Sequence, residues 1–238
     1  LFDQRLAFVR NERANADEAV QNKRPELLEL LIAEQPDNPE PVFEKALMRA
    51  IDAGLAGTWW KGRDADKVDA AAAEAILALL EKARKLANPD AVAAFMGAPP
   101  QVAPGNSEAR HDLERKKKEI EKARTILASI GHLKADVYRL TERIDPAWDA
   151  LLDAGRWESK PGESTLGIKA ALFEAEDLLG LALEIVNDRL KENPYDPELL
   201  ERRIDLYRAL GWTRFADSES RKLAVRKANQ AKIATVAE

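Results

Sequence analysis

The chain has 238 residues, 45% hydrophobic and 33% charged, enough for one large domain or two small ones. A net charge of −5 with two histidines and no cysteine excludes disulfides, thiolate metal sites and a cysteine nucleophile. It also argues against general nucleic-acid binding, which calls for a basic footprint.

Taken in chain order, nearly every segment predicts helix. Residues 1–19 carry Leu6, Phe8, Val9 and Ala16 on loosely helical spacing. Pro25 suits a first helical position and opens PELLELLIAEQ. Pro39 or Pro41 opens the next helix, which runs to Ala53 and is stopped by Gly54. After the loop GLAGTWWKGRD, Asp64 or Asp66 can cap an alanine-rich helix to Ala87. Asn88 and Pro89 then open the short helix PDAVAAFM. Residues 97–106, GAPPQVAPGN, hold three prolines and two glycines, so neither helix nor central strand is expected there. A helix restarts at Asn106 or Ser107 and reaches Ile130, with Gly131 either ending it or lying within it. Leu133, Val137, Leu140 and Ile144 continue as a narrow apolar stripe. Asp145 and Pro146 restart a helix to Ala154, and three more follow, over 166–192, 197–210 and 213–234. No run alternates with period two, so no sheet is expected.

EQPDNPE, LANPDAV, RIDPAWD and ENPYDPE each end one helix and start another. Their lead prolines, Pro36, Pro89, Pro146 and Pro194, are spaced by 53, 57 and 48 residues. Proline has a fixed φ and no N–H, which suits a helix start, and the neighbouring asparagine or aspartate can accept from first-turn amides. Punctuation of this kind predicts stacked helical hairpins. EAILALLEKARKLANPDA, residues 74–91, resembles the second helix of a tetratricopeptide repeat running into its closing proline signal. NPYDPELLERRIDLYRALGWTRFA, residues 193–216, resembles that signal followed by another repeat's first helix. Leu200, Tyr207, Gly211 and Ala216 fall near that family's large, aromatic, glycine and small positions; Pro36, Asn38 and Ala46 match more loosely. The departures are the proline intervals, longer than the family's roughly 34 residues, and Arg203 and Ile204 where small apolar residues belong. The resemblance covers about half the chain, in pieces. It implies an all-α fold of stacked antiparallel helical hairpins, a diverged α-solenoid of tetratricopeptide type. The expected division is a helical half over 1–96, a linker over 97–106, and a second half over 107–238 with a basic terminal helix.

No catalytic group, cofactor or metal site is predicted. His111 and His132 lack ligand spacing, and no phosphate loop or nucleophile elbow occurs. Trp59 and Trp60, followed by Lys61 and Arg63 in a glycine-flanked loop, read either as a binding hot spot or as a plug at the end of the stack. Trp148, Trp157 and Trp212, at helix starts or junctions, read as packing residues. The run RKKK over 115–118, with Glu114, Glu119 and Glu121 close by, reads as a solvated helix face. Its seam, Leu113, Ile120, Ala123, Leu127 and Ile130, calls for a neighbouring helix in this chain or another. Arg221, Lys222, Arg226, Lys227 and Lys232 have no acid between them, which suits an acidic partner, a membrane surface or a solvated cap.

The function expected is a non-enzymatic scaffold, a structural or assembly subunit bound to other protein subunits, with contacts at Trp59, Trp60, Lys61, Arg63, Arg221, Lys222, Arg226 and Lys227. One alternative is a peripheral membrane protein using the Trp59–Trp60 loop and the basic terminal helix. Another is a helical enzyme, whose sign would be a buried pair of acids with no basic partner. The absence of cysteine and a first residue that is not Met favour an exported, periplasmic or envelope protein over a cytoplasmic one.

Overall fold

The computed structural model describes residues 2–11, 18–55, 69–100 and 107–236. Among them are eleven helices and no strand: α1 (Phe2–Asn11), α2 (Glu18–Glu34), α3 (Pro39–Asp52), α4 (Ala70–Ala87), α5 (Pro89–Gly97), α6 (Ser107–Leu140), α7 (Ile144–Gly155), α8 (Glu163–Ala175), α9 (Leu179–Glu192), α10 (Pro197–Ala209) and α11 (Thr213–Val236). The fold is all-α, as the composition and punctuation predict.

Three of the four proline junctions work through their side chains; at the fourth, α7 begins at Ile144 after Arg143, which makes no side-chain cap bond, so Asp145 and Pro146 lie inside the helix they were expected to restart. Asn38 accepts from the Glu40 amide at 3.0 Å and opens α3 at Pro39. Asp196 accepts from Glu198 and Leu199 at 2.9 and 3.1 Å and opens α10 at Pro197. Asn88 serves two helices. At φ 51° its own N–H bonds the Lys85 carbonyl to close α4, and its side chain accepts from Ala91 at 3.2 Å to open α5. The residue capping α4 is Asp69, which accepts from Ala71 at 2.9 Å; Asp64 and Asp66 lie outside the described residues.

Four helix ends share one backbone form. Gly54, Glu142, Asp177 and Gly211 have φ of 72, 60, 60 and 74°. In each case the next amide reaches back five residues: Leu55 to Ala50, Arg143 to Tyr138, Leu178 to Phe173 and Trp212 to Tyr207, at 2.6–2.8 Å. This is a Schellman closure, which satisfies carbonyls the ending helix leaves orphaned. Glu142, Asp177 and Gly211 recur at intervals of 35 and 34 residues, a period that the prolines do not display.

By contacts the chain forms two compact units, the first ending at Thr165 and the second beginning at Leu166. The division expected at residues 97–106 differs from this. Helices before and after that segment share one core, in which Ile76 and Leu80 of α4 lie with Leu127 and Ile130 of α6, joined by Val42 and Ala46 of α3 and Val92 of α5. Composition marks where helix stops, and packing decides which helices belong together. A smaller cluster, Leu6, Val9, Leu28, Leu31 and Met48, joins α1 and α2 to α3. In the second unit Ala170 and Phe173 of α8 pack with Leu183 and Val186 of α9, Leu200 and Ile204 of α10, and Ala216 and Leu223 of α11.

Two further expectations are corrected. The helix placed over 166–192 is two helices, because the chain turns at Asp177 and the Leu178 amide closes on Phe173. Pro25 lies inside α2 rather than at its start; of the helix placed over 1–19, α1 covers Phe2–Asn11, and residues 12–17 lie outside the described residues. Of the two readings of Gly131, the structure takes the second: it lies buried within α6, a helix of 34 residues. The reason is close packing. A Cβ there would stand 2.7 Å from the Ala154 Cβ and 2.9 Å from the Ala150 carbonyl oxygen. Only glycine lets α7 approach on its small-residue face of Ala147, Ala150 and Ala154.

Candidate interaction surfaces

Trp59, Trp60, Lys61 and Arg63 lie outside the described residues. Arg221, Lys222, Arg226 and Lys227 lie on α11, whose inward side chains Ala216 and Leu223 hold it against the second core. Three of these cations are engaged by side chains of their own chain. Lys222 donates to Glu219 at 3.0 Å, Lys227 pairs with Glu201, and the Arg226 guanidinium lies 5.1 Å from the centre of the Tyr195 ring. Arg221 donates to the Asp217 carbonyl at 3.2 Å. Glu219 also receives Arg203. Burial pushes the Glu219 carboxyl up, but the hydrogen bonds and charges of Lys222 and Arg203 together hold it below its ordinary value. The absence of acid within the run is therefore compensated across helices, by Glu201 on α10, and by Glu219 just before the run.

The turn between α10 and α11 carries an aromatic cluster. Tyr207 stacks on Trp212 with centroids 5.9 Å apart, and Phe215 lies 5.8 Å from Tyr207 and 6.2 Å from Trp212. The Schellman turn sets this contact, since Trp212 follows Gly211 and its amide bonds the Tyr207 carbonyl. Trp212 stays 49% exposed and Phe215 63% exposed. With Gly211, Thr213 and Arg214 they line a depression of about 480 Å³. Trp212 therefore packs at a junction, as expected, and also presents half its surface to solvent. Sequence reading missed Phe215; its signal is the Trp-Thr-Arg-Phe spacing, which puts two aromatic rings on one helical turn.

A second depression, about 470 Å³, lies between α5 and α6. Phe95, Met96, Pro99 and Ile120 supply apolar surface, and Lys117, Lys118, Glu121 and Arg124 the polar part. Of the pairing expected for RKKK, Lys117 on Glu114 is present at 2.8 Å, while Arg115 pairs with Asp112 at 2.9 Å and Glu121 receives Arg124, outside the run, at 2.8 Å. The hydrogen bond and charge of Lys117 hold the Glu114 carboxyl below its ordinary value.

His132 sits in a small polar network of the first unit. Thr165 donates to Glu158 Oε2 at 2.6 Å, and its hydroxyl lies 2.7 Å from His132 Nε2. The hydroxyl has one proton, committed to the carboxylate, so Nε2 carries its own proton and donates to Thr165. Burial lowers the His132 pKa below 6.5, with the Glu158 charge opposing, so the ring is neutral at pH 7. Among the described residues the buried acids are Glu44, 2% exposed, and Asp136. They lie on different helices, and each has a basic partner: Arg10 at 3.1 Å from Glu44 and Arg139 at 3.0 Å from Asp136. Among the described residues no group of three or more potential ligands could hold a metal ion. None of their helices is long and apolar enough to cross a membrane.

No family model matches the sequence, and no curated protein does. Among solved structures the chain is similar to a tetratricopeptide repeat protein from Parabacteroides merdae ATCC 43184, at 12% identity over 93% of this chain and 80% of that one, with a TM-score of 0.40. The hairpin architecture described above stands on the chain's own turns and cores.

Proposed function

We propose that this chain is a non-enzymatic protein-interaction scaffold, a structural or assembly subunit of a larger complex at the bacterial envelope. The observation that carries the reading is the aromatic cluster at the α10–α11 turn. Trp212 and Phe215 expose large apolar surface around a depression, on a turn fixed by backbone hydrogen bonds. Tryptophan in a preformed, rigid setting is the residue type that most often anchors protein interfaces, where its loss costs about 2 kcal/mol or more. Ordering costs on binding are small when the anchor is already stacked, as Trp212 is on Tyr207.

The test is gentle affinity capture of the tagged protein from its source, with mass spectrometry, beside the double variant Trp212→Ser/Phe215→Ser. The expected result is a reproducible, stoichiometric set of proteins that the variant loses while keeping its helical circular dichroism. Recovery of a lone monomer with the unaltered chain sinks the scaffold reading. Retention of the same partners by the variant moves the interface elsewhere.

A further inference from the structure

We infer that the depression between α5 and α6 is a docking groove for an acidic amphipathic helix of a partner protein. It is separate in sequence from the α10–α11 turn, so its failure leaves the capture experiment on Trp212 and Phe215 standing.

The argument begins with the length of α6. Its 34 residues span about 50 Å at 1.5 Å per residue. Its buried positions begin only at Ile126. The seam nevertheless continues toward the N-terminus. Leu113 and Ile120 precede the buried Leu127 at seven-residue spacing, and both are half-buried. Only part of the seam's neighbouring space is taken by α5, which presents Phe95 and a 43% exposed Met96 beside Ile120. A seam whose Ile120 packs at the edge of the first core and whose Leu113 lies beyond it, with a cleft of about 470 Å³ beside Ile120, suits a further helix laid into the groove.

Charge selects the occupant. The whole chain carries −5, but residues 110–124 hold seven bases against four acids, a net +3. Lys117 and Lys118 stand at the groove itself, and Lys116 lies 6.0 Å from the centre of the Phe95 ring. The ion pairs along this face are exposed i,i+3 pairs, weak enough to be exchanged for a partner's carboxylates. A second copy of this chain would set the same excess positive charge against itself, which disfavours self-pairing. A nucleic acid would use the lysines and leave Met96 and Phe95 unused, against a chain whose overall charge repels it. An acidic helix uses both features, with apolar side chains on Met96 and Ile120 and carboxylates on Lys117 and Lys118.

The probe is a fluorescein-labelled amphipathic peptide of about three heptads, with Leu at a and d and Glu at e and g, read by anisotropy. The control peptide has Lys in place of each Glu. The expected result is binding of the Glu peptide about tenfold or more tighter than the Lys peptide, weakening with salt. The variants Lys117→Glu/Lys118→Glu and Met96→Asp each weaken it about tenfold or more, while Lys191→Glu on α9 leaves it unchanged. The substituted residues are exposed, and an unaltered circular dichroism spectrum verifies the fold. Equal binding of both peptides, or binding indifferent to both groove variants, overturns the inference. So does capture of anionic phosphatidylglycerol vesicles or duplex DNA, without the peptide, that Lys117→Glu/Lys118→Glu abolishes. A concentration-dependent dimer by light scattering, lost in the same variant, assigns the face to a second copy and also overturns it.

Discussion

Replacing Gly131 with alanine sets two effects against each other. Alanine in a helix interior is favoured over glycine by about 1 kcal/mol, so propensity alone predicts a more stable protein. The new methyl group, however, would lie 2.7 Å from the Ala154 Cβ and 2.9 Å from both the Ala150 carbonyl oxygen and the Ala154 Cα. These are helix backbone atoms and a Cβ, with no flexible tip to swing aside. Relief requires α6 and α7 to separate, which loosens the contacts of Leu127, Ile130 and Leu133 in the first core. Overpacking of this kind costs about 1–3 kcal/mol and generally more where backbone must move, so the net expectation is a loss of about 1–2 kcal/mol. Urea titration followed by far-UV circular dichroism reads it, with an unchanged m value as the check that the unfolded surface is the same. The double variant Gly131→Ala/Ala154→Gly removes the Cβ–Cβ contact and leaves the two backbone contacts, so it recovers only part of the loss. A Gly131→Ala protein that is more stable by about 1 kcal/mol would refute close packing as the reason for the glycine.

Asp196→Ala removes acceptors from two first-turn amides and should cost about 1 kcal/mol in the second unit, read by the same titration; no change would show that α10 does not depend on its cap. Asp177→Gly should raise stability by up to about 1 kcal/mol, since a left-handed φ of 60° strains a side chain that glycine lacks; destabilisation would mean that the aspartate has a contact worth more than its strain. The His132 pKa lies below its ordinary 6.5 in the folded protein. Between that lowered value and 6.5 the unfolded chain holds a proton that the folded chain does not. The contribution is therefore full above about pH 6.5 and is lost as pH falls toward the folded value. Stability measured across that window should slope upward with pH, and His132→Gln should flatten the slope; an identical slope in the variant would place the dependence on other groups.

The parts of this fold that sequence reveals are those in which a residue type and its position are chemically bound together. Asn38, Asn88 and Asp196 before proline open helices because an acceptor meets free amides there, whatever surrounds them. The turn at Asp177 carries no such mark, and near Glu142 the Asp145–Pro146 pair lies inside α7 without capping it. Asp177 interrupts ALFEAEDLLGLAL, a run with neither proline nor a glycine at the break, and the turn exists because Phe173 and Leu183 must face the same core. The period of 34–35 residues was hidden because it belongs to backbone conformation, and only Gly211 of its three turns is marked by a glycine. The 97–106 segment shows the converse. α5 ends at Gly97, at the first residue of that segment, and residues 101–106 lie outside the described residues; which helices share a core depends on shapes that meet only after folding. Among candidate contacts, lysines and arginines on α11 looked uncompensated because their partners, Glu201 and Tyr195, lie on or just before another helix. Of the α5–α6 groove the basic run and the apolar seam of α6 were visible, but not the wall that Phe95 and Met96 of α5 supply.

Asn88 gives that groove an unusual dependency. One of its walls is α5, nine residues long, a length at which an isolated helix does not hold together in water. That wall is fastened at two points, the Asn88 side chain on the Ala91 amide and Val92 in the core. The same asparagine closes α4 through its backbone. Loosening this one residue therefore frays the end of a core helix and the wall of the surface cleft together. The availability of the groove is thermodynamically yoked to the integrity of α4, so that whatever occupies the cleft also tightens the helix behind it.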